Sequence, residues 1–307
     1  APIESSPSNV NFITSIFATE DNTTVSINNF DPTIIFSDNN SRTSFNFTLQ
    51  KGQSYIIEGS DTYTQNWQGF IGAKITSTKP ISVTNGNFNG QYVSTTLAST
   101  DILMDQSVSV DKLGKEFVLV KGNGTIHATT SDTYSQNMEK AFIVASANGT
   151  NIYVNNETIP INSVPLNAGQ SIVVGSEKYI NQGNEKYNMF IKSTENIYVF
   201  QLLAGASSGS EIATGGYNYI PPLSCYLPKE INEIGFINEN EGLKNNYYHS
   251  TSPTKLNIIT ETGAIITVQK NGANFPLTNV DGPYPVLGSS NWVTYSIERS
   301  ATGATSV

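Results

Sequence analysis

Charge is scarce in this chain. Only 13% of its 307 residues are Asp, Glu, Lys or Arg, against about 25% in an average soluble domain. Basic residues are the scarcer kind, 16 against 25 acids, which leaves a formal net charge of −9. A chain so poor in Lys and Arg cannot neutralise a run of phosphates, which argues against nucleic acid as a partner and against electrostatic docking on an anionic membrane. Cysteine is limited to Cys225, so no intrachain disulfide can form and an extracellular form must rely on its hydrophobic cores. Long apolar runs are absent too. Nothing approaches the roughly 18 residues of a membrane helix, so the chain is not read as membrane-spanning. The start shows neither the basic nor the apolar region of a signal peptide. Ala1-Pro2-Ile3 fits a chain whose leader has been removed, or one that begins inside a longer protein.

Helical periodicity is nearly missing as well. What replaces it is alternation of apolar and polar residues in short runs, rich in Thr, Tyr, Phe, Val and Ile and punctuated by Asn and Gly. These residue types favour half-buried strands and the turns between them. Three blocks of this kind recur in one order. Ile16-Phe17-Ala18-Thr19-Glu20-Asp21-Asn22-Thr23-Thr24-Val25-Ser26-Ile27 matches Ile143-Val144-Ala145-Ser146-Ala147-Asn148-Gly149-Thr150-Asn151-Ile152-Tyr153-Val154. Leu49-Gln50-Lys51-Gly52-Gln53-Ser54 matches Leu166-Asn167-Ala168-Gly169-Gln170-Ser171, and Ile75-Thr76-Ser77-Thr78-Lys79-Pro80-Ile81-Ser82-Val83 matches Ile191-Lys192-Ser193-Thr194-Glu195-Asn196-Ile197-Tyr198-Val199. Each first block reads as strand, polar turn, strand, and Asn148-Gly149 predicts a hairpin because both residues tolerate positive φ. A third copy is suggested by Ile258–Val268 and, more faintly, by Leu287–Ile297.

The expected fold is therefore all-β: tandem antiparallel β-sandwich or jelly-roll-like repeats, with copy one over residues 1–95, copy two over 96–227 and an incomplete copy three over 228–307. No Gly/Ser or Pro linker separates the copies, which predicts that they pack against one another. Copy one has no leading strand like Gly114-Lys115-Glu116-Phe117-Val118-Leu119-Val120. The chain thus reads as a piece of a longer polypeptide, or as a fold whose missing strands come from elsewhere.

Catalytic chemistry finds little support. A nucleophile triad needs a His oriented by a carboxylate, but only His127 and His249 exist, neither near a Gly-x-Ser-x-Gly turn. Zinc needs closely spaced Cys and His, and here they are far apart. Asp21-Asn22, Asp38-Asn39-Asn40 and Asn238-Glu239-Asn240-Glu241 are the possible calcium ligands, although none has the spacing of a known calcium loop, and they read more simply as turns. No other cofactor is implied. A facing pair of carboxylates for glycoside hydrolysis is not singled out by any motif. The sequons at Asn22, Asn39, Asn46, Asn123, Asn148 and Asn156 matter only where a host glycosylates them. Aromatic residues are the best binding candidates: Tyr63, Trp67, Phe70, Phe88 and Tyr92 around copy one, and Tyr217 and Tyr219 beside a Gly-rich stretch of copy two. In loops such rings stack on sugars or anchor a protein partner; otherwise they cap the ends of their sandwich.

The ordered set of motifs Ala18-Thr19-Glu20-Asp21-Asn22-Thr23-Thr24-Val25, Leu49-Gln50-Lys51-Gly52-Gln53-Ser54-Tyr55 and Ile75–Val83, followed by Asp101–Val108, resembles the IgGFc-binding N-terminal domain family over most of residues 16–225. The resemblance implies a secreted or cell-surface protein acting in binding or adhesion. It also implies kinship with large surface proteins of the Bacteroidetes, many exported by the type IX secretion system and some linked to gliding. The expectation is a non-enzymatic extracellular binding module whose ligand is a host or environmental glycan or protein. Two alternatives stand beside it: a secreted polysaccharide-degrading enzyme or its accessory carbohydrate-binding domain, and a component that docks on a secretion or motility complex through an open sheet edge.

Overall fold

The computed structural model describes residues 11–90, 101–122, 139–184, 186–204, 215–224, 227–231, 255–270, 273–275 and 280–298. Within them almost every regular element is a strand, and every strand pairing is antiparallel. In copy one, β1 (Phe12–Ala18), β2 (Thr23–Asn28), β3 (Phe45–Leu49), β4 (Ser54–Glu58), the one-turn helix α1 (Asn66–Gly69), β5 (Lys74–Ser77), β6 (Ile81–Gly90) and β7 (Asp101–Ser107) follow in turn. They form two sheets, β4-β1-β6-β7 and β3-β2-β5. Strand side chains alternate between faces, so β1 and β2 each give one apolar row to a shared core. Ile16 and Ala18 from one layer meet Val25 and Ile27 from the other, together with Phe30, Ile34, Phe36 and Phe45.

That geometry corrects the hairpin reading. β1 and β2 do not pair with each other, and the polar turn between them is a corner that carries the chain from one sheet to the other. A hairpin would lay both apolar rows on one layer, whereas the corner lets them face each other across the core.

Copy two repeats the plan with β8 (Gly114–Val120), β9 (Glu139–Ala145), β10 (Ile152–Val154), β11 (Ser171–Val174), β12 (Ile180–Asn181), β13 (Tyr187–Ala204) and β14 (Gly215–Tyr219). Here β13 does the work of both β5 and β6. Its first half pairs with β8, β10 and β12, its second half with β9 and β14, and the register breaks between Lys192 and Ile197. In copy one the same break falls at Thr78-Lys79-Pro80. β9 and β10 accordingly do not pair either, so Asn148-Gly149 is a corner as well.

The repeated letters are repeated hydrogen bonds. Gly52 and Gly169 both have positive φ, 82° and 86°, a region open to glycine at little cost. The following Gln folds back in both copies: Gln53 Oε1 accepts the Gln50 N–H, and Gln170 Oε1 accepts the Asn167 N–H, each at 2.7 Å. Asp21 accepts the Lys51 N–H and Asn148 the Ala168 N–H, each at 3.0 Å. Thr78 and Thr194 hydroxyls accept the N–H of Thr24 and Asn151. One side-chain set thus ties the corner, the Gly-Gln turn and the sheet crossing together in both copies.

Copy three contains β15 (Lys255–Glu261), β16 (Val268–Lys270), β17 (Ala273–Phe275), β18 (Val280–Val286) and β19 (Ser289–Glu298). It forms a sheet β15-β19-β18 and a small hairpin β16-β17. The copies pack directly on one another. Leu103 and Ile71 of copy one cover Phe142, Phe200, Leu202 and Tyr217 of copy two. On the opposite side, Val286, Ile259 and Trp292 of copy three cover Val118 and Phe190. The division at residue 95/96 counts β7 with copy two, but β7 hydrogen-bonds to β6 and completes the first sheet of copy one.

Candidate functional site

The sheets of copy one show two outward faces of different chemistry. On β3-β2-β5 that face carries Thr24, Ser26, Asn28, Asn46, Thr48 and Thr76, with Thr24 and Thr48 hydroxyls in contact at 3.3 Å. Such a face is satisfied by water. On β4-β1-β6-β7 the registers place Ile56, Ser15, Thr84 and Gln106 in one row across four strands. Phe17 and Ser82 lie on one side of it, Ile13 and Met104 on the other. Phe88 and Ile102 project from the far end of β6 and β7 on the same side. Four large apolar side chains stand out to solvent here: Phe17 is 43% exposed, Ile56 60%, Phe88 60% and Ile102 61%. Hydroxyl and amide groups run between them, and Gln106 donates to the Ser82 hydroxyl at 3.1 Å. The result is a broad amphipathic face with a polar centre and an apolar rim. Nothing among the described residues covers it.

Of the aromatics singled out in the sequence, Phe88 belongs to this face, on a strand rather than in a loop. Tyr63 and Trp67 lie around α1, on the connection from β4 to β5; Tyr63 is exposed and Trp67 half-buried. That connection is fixed by the buried Asn66, whose amide donates to Ile35 O at 2.6 Å and Ser60 O at 2.7 Å while its carbonyl accepts the Ile35 N–H. Phe70 turns inward and stacks on Phe12 with ring centres 4.6 Å apart. Tyr217 is buried, stacked on Phe200 at 4.3 Å, so it holds copy two against copy one instead of offering its ring to a ligand. Tyr219 lies in the same contact. Its N–H donates to Asp105 Oδ2 at 2.5 Å, and burial pushes its phenol up to about 12. Both stand beside a Gly-rich stretch in the sequence, and both lie on β14, whose outward face is the one copy one covers. Tyr92, Cys225, His127, His249 and residues 238–241 lie outside the described residues.

Phe17, Ile56 and Ile102 were not legible as site residues from aromatic content alone. The signal available was apolar side chains at positions where the alternation calls for polar ones.

The acidic groups considered for calcium are engaged in turns. Asp21 accepts the Lys51 N–H. Asp38 pairs with Arg42, and that guanidinium holds its carboxyl at about 2. Asp31 is also lowered, by hydrogen bonds from Thr33. In copy two, the Glu139 carboxylate is buried and accepts the Gly122 N–H at 2.6 Å and the Gln201 amide at 3.3 Å. Nearby, Lys121 lies over the Tyr179 and Tyr187 rings at 5.7 and 5.3 Å. Burial lowers its pKa and Glu139 opposes that shift. This grouping braces the end of the β8 sheet from inside.

These features define an all-β protein of packed sandwich repeats whose first copy presents an open, amphipathic sheet face. A family model described as IgGFc binding protein matches residues 3–307, and the chain belongs to that family. No curated protein matches it, and no solved structure does. No helix among the described residues is long and apolar enough to cross a membrane.

Proposed function

We propose that the chain is a non-enzymatic extracellular binding module, and that it engages a protein ligand through the open face of β4-β1-β6-β7. The observation that carries this reading is the set Phe17, Ile56, Phe88 and Ile102, exposed together around a hydroxyl-rich centre. An exposed apolar set of this kind, on a face whose counterpart in copy two is covered by a neighbouring copy, has the character of a recognition surface. Half of the rim, Ile56 and Ile102, is aliphatic, which suits a protein better than a sugar, since stacking on sugar rings needs flat aromatic faces. Secretion or surface display, the type IX route and a link to gliding belong to the same proposal, and their support is the family resemblance alone.

The test is a binding screen of the intact chain against immobilised extracellular proteins, immunoglobulin Fc first, with a glycan array in parallel. A variant carrying Phe17→Ser, Ile56→Thr and Phe88→Ser should keep its fold and lose at least about tenfold in affinity, the scale of removing an interface anchor. Undiminished binding by that variant defeats the reading. Binding confined to glycans and abolished by Tyr63→Ala and Trp67→Ala would move the site to the α1 connection.

A further inference from the structure

The second copy shows what the first copy lacks at one sheet edge. In copy two, the first half of β13 is flanked on one side by β10 and on the other by β8, with Ile191 opposite Phe117 and Phe190 opposite Val118. Phe117 and Leu119 of β8 are fully buried in the copy-two core. The equivalent of that half of β13 in copy one is β5, where Ile75 stands for Ile191. β5 pairs with β2 on one side, and no strand among the described residues pairs with the other. The consequence reaches the core: Ile191 is completely buried, whereas Ile75 is only partly so. An unpaired edge leaves backbone N–H and C=O groups of alternate residues available for another strand.

We propose that the free edge of β5 is a strand-acceptor site, filled antiparallel by an extended partner segment in the place β8 takes in copy two. This goes beyond the binding reading above and uses a different surface. The neighbours of the edge define the partner's chemistry. Its inward positions must be apolar, like Phe117 and Leu119, because they continue the core that Ile75 lines. Its outward positions must be polar, unlike Val118 and Val120, because β8 lies under copy three while the outer face of β3-β2-β5 is built of Thr, Ser and Asn. The outward residue facing Lys74 should be acidic, since Lys74 is exposed at the head of β5 and cross-strand pairs of opposite charge are favourable. Main-chain hydrogen bonds supply the affinity and the alternate side chains the selectivity.

The probe is a synthetic peptide with the 113–122 sequence carrying Val118→Glu and Val120→Thr. The control peptide carries Phe117→Ser and Leu119→Ser in addition. Amide exchange of the intact chain should slow by about tenfold or more at Ile75 and Ser77, whose N–H groups alternate with those bonded to β2, with the probe and not with the control. In a Cys225→Ser chain carrying Thr76→Cys, a probe with Glu116→Cys should cross-link, because antiparallel pairing in the β8 register places these two opposite each other. The proposal is overturned if Ile75 and Ser77 are already protected in the free chain. It is equally overturned if probe and control protect them alike, or if neither does.

Discussion

Where copy two carries Phe142, Tyr198, Phe200 and Tyr219 on the outward face of its longer sheet, copy one carries Ser15, Ser82, Thr84 and Gln106. The strand order is the same, and so are the turn hydrogen bonds beneath. Copy two is the middle layer, covered by copy one on that face and by copy three on the other, and its aromatics are the contact. Copy one has no module on either outward face among the described residues, and its strands have the hydroxyls of a surface in water. The comparison teaches that the backbone plan is indifferent to covering and that the outward rows decide it, as in other repeat proteins whose terminal units have a polar outer side. It also makes Phe17, Ile56, Phe88 and Ile102 conspicuous, since a face merely adapted to solvent would have lost them.

Exchanging the two chemistries should break this contrast most forcefully. Phe200→Thr should cost about 3–5 kcal/mol in a urea titration, the range for emptying a buried aromatic site. The reverse change, Thr84→Phe, should move stability by less than about 1 kcal/mol and instead increase self-association in sedimentation velocity. Equal costs for both would erase the distinction between covered and open faces.

Glycine positions sharpen it next. A Cβ on Gly72, which has φ of 83°, would lie 2.1 Å from the backbone oxygen of Gly169 in copy two. Gly72→Ala should therefore lose about 2–4 kcal/mol, combining strained backbone with a clash between copies. At Gly52 a Cβ meets nothing, so Gly52→Ala should lose only about 1 kcal/mol from its left-handed backbone. Thermal melts of the two variants separate close packing between copies from turn geometry.

A smaller effect is expected where copy two lacks a partner strand for β10 that copy one has in β3. There the buried Asn162 accepts the Ile152 N–H at 2.8 Å and donates to Thr150 O at 3.0 Å, beside backbone bonds from Ile161 to Ile152 and between Thr150 and Leu166. Asn162→Ala should cost about 1–3 kcal/mol by leaving the buried Ile152 N–H unpaired, measured by denaturant unfolding.

The mildest effect is alkaline. Tyr219 ionises at about 12 in the folded chain against 10 for a free tyrosine, so the folded state retains its proton where the unfolded state has lost it. Stability is intact below pH 10 and falls as pH rises from 10 to 12. Tyr219→Phe should flatten that part of the stability profile.

Much of this architecture was legible in the sequence because its repeats are written in turn residues. Gly-Gln, Asp/Asn before the corner and Thr at the sheet crossing each carry a hydrogen bond found in both copies, so pattern and structure coincide. The hairpin expectation failed at Asn148-Gly149 because local backbone preference fixes a tight turn but says nothing about which strands pair across it. That depends on where the two apolar rows meet, a property of the core. The site was legible only in part. Phe88 was visible as an aromatic. Ile56 and Phe17 needed the register that puts them on one face, and Tyr217 and Tyr219, read beside a Gly-rich stretch, lie on a strand under copy one because composition carries no mark of which face another copy covers.

Hydroxyl-radical footprinting of the intact chain, read residue by residue, tests the central contrast most directly. Phe17, Phe88 and Ile56 should label readily, while Phe142, Phe200 and Tyr217 stay protected until the chain unfolds. Comparable labelling of the two sets under native conditions would contradict the account.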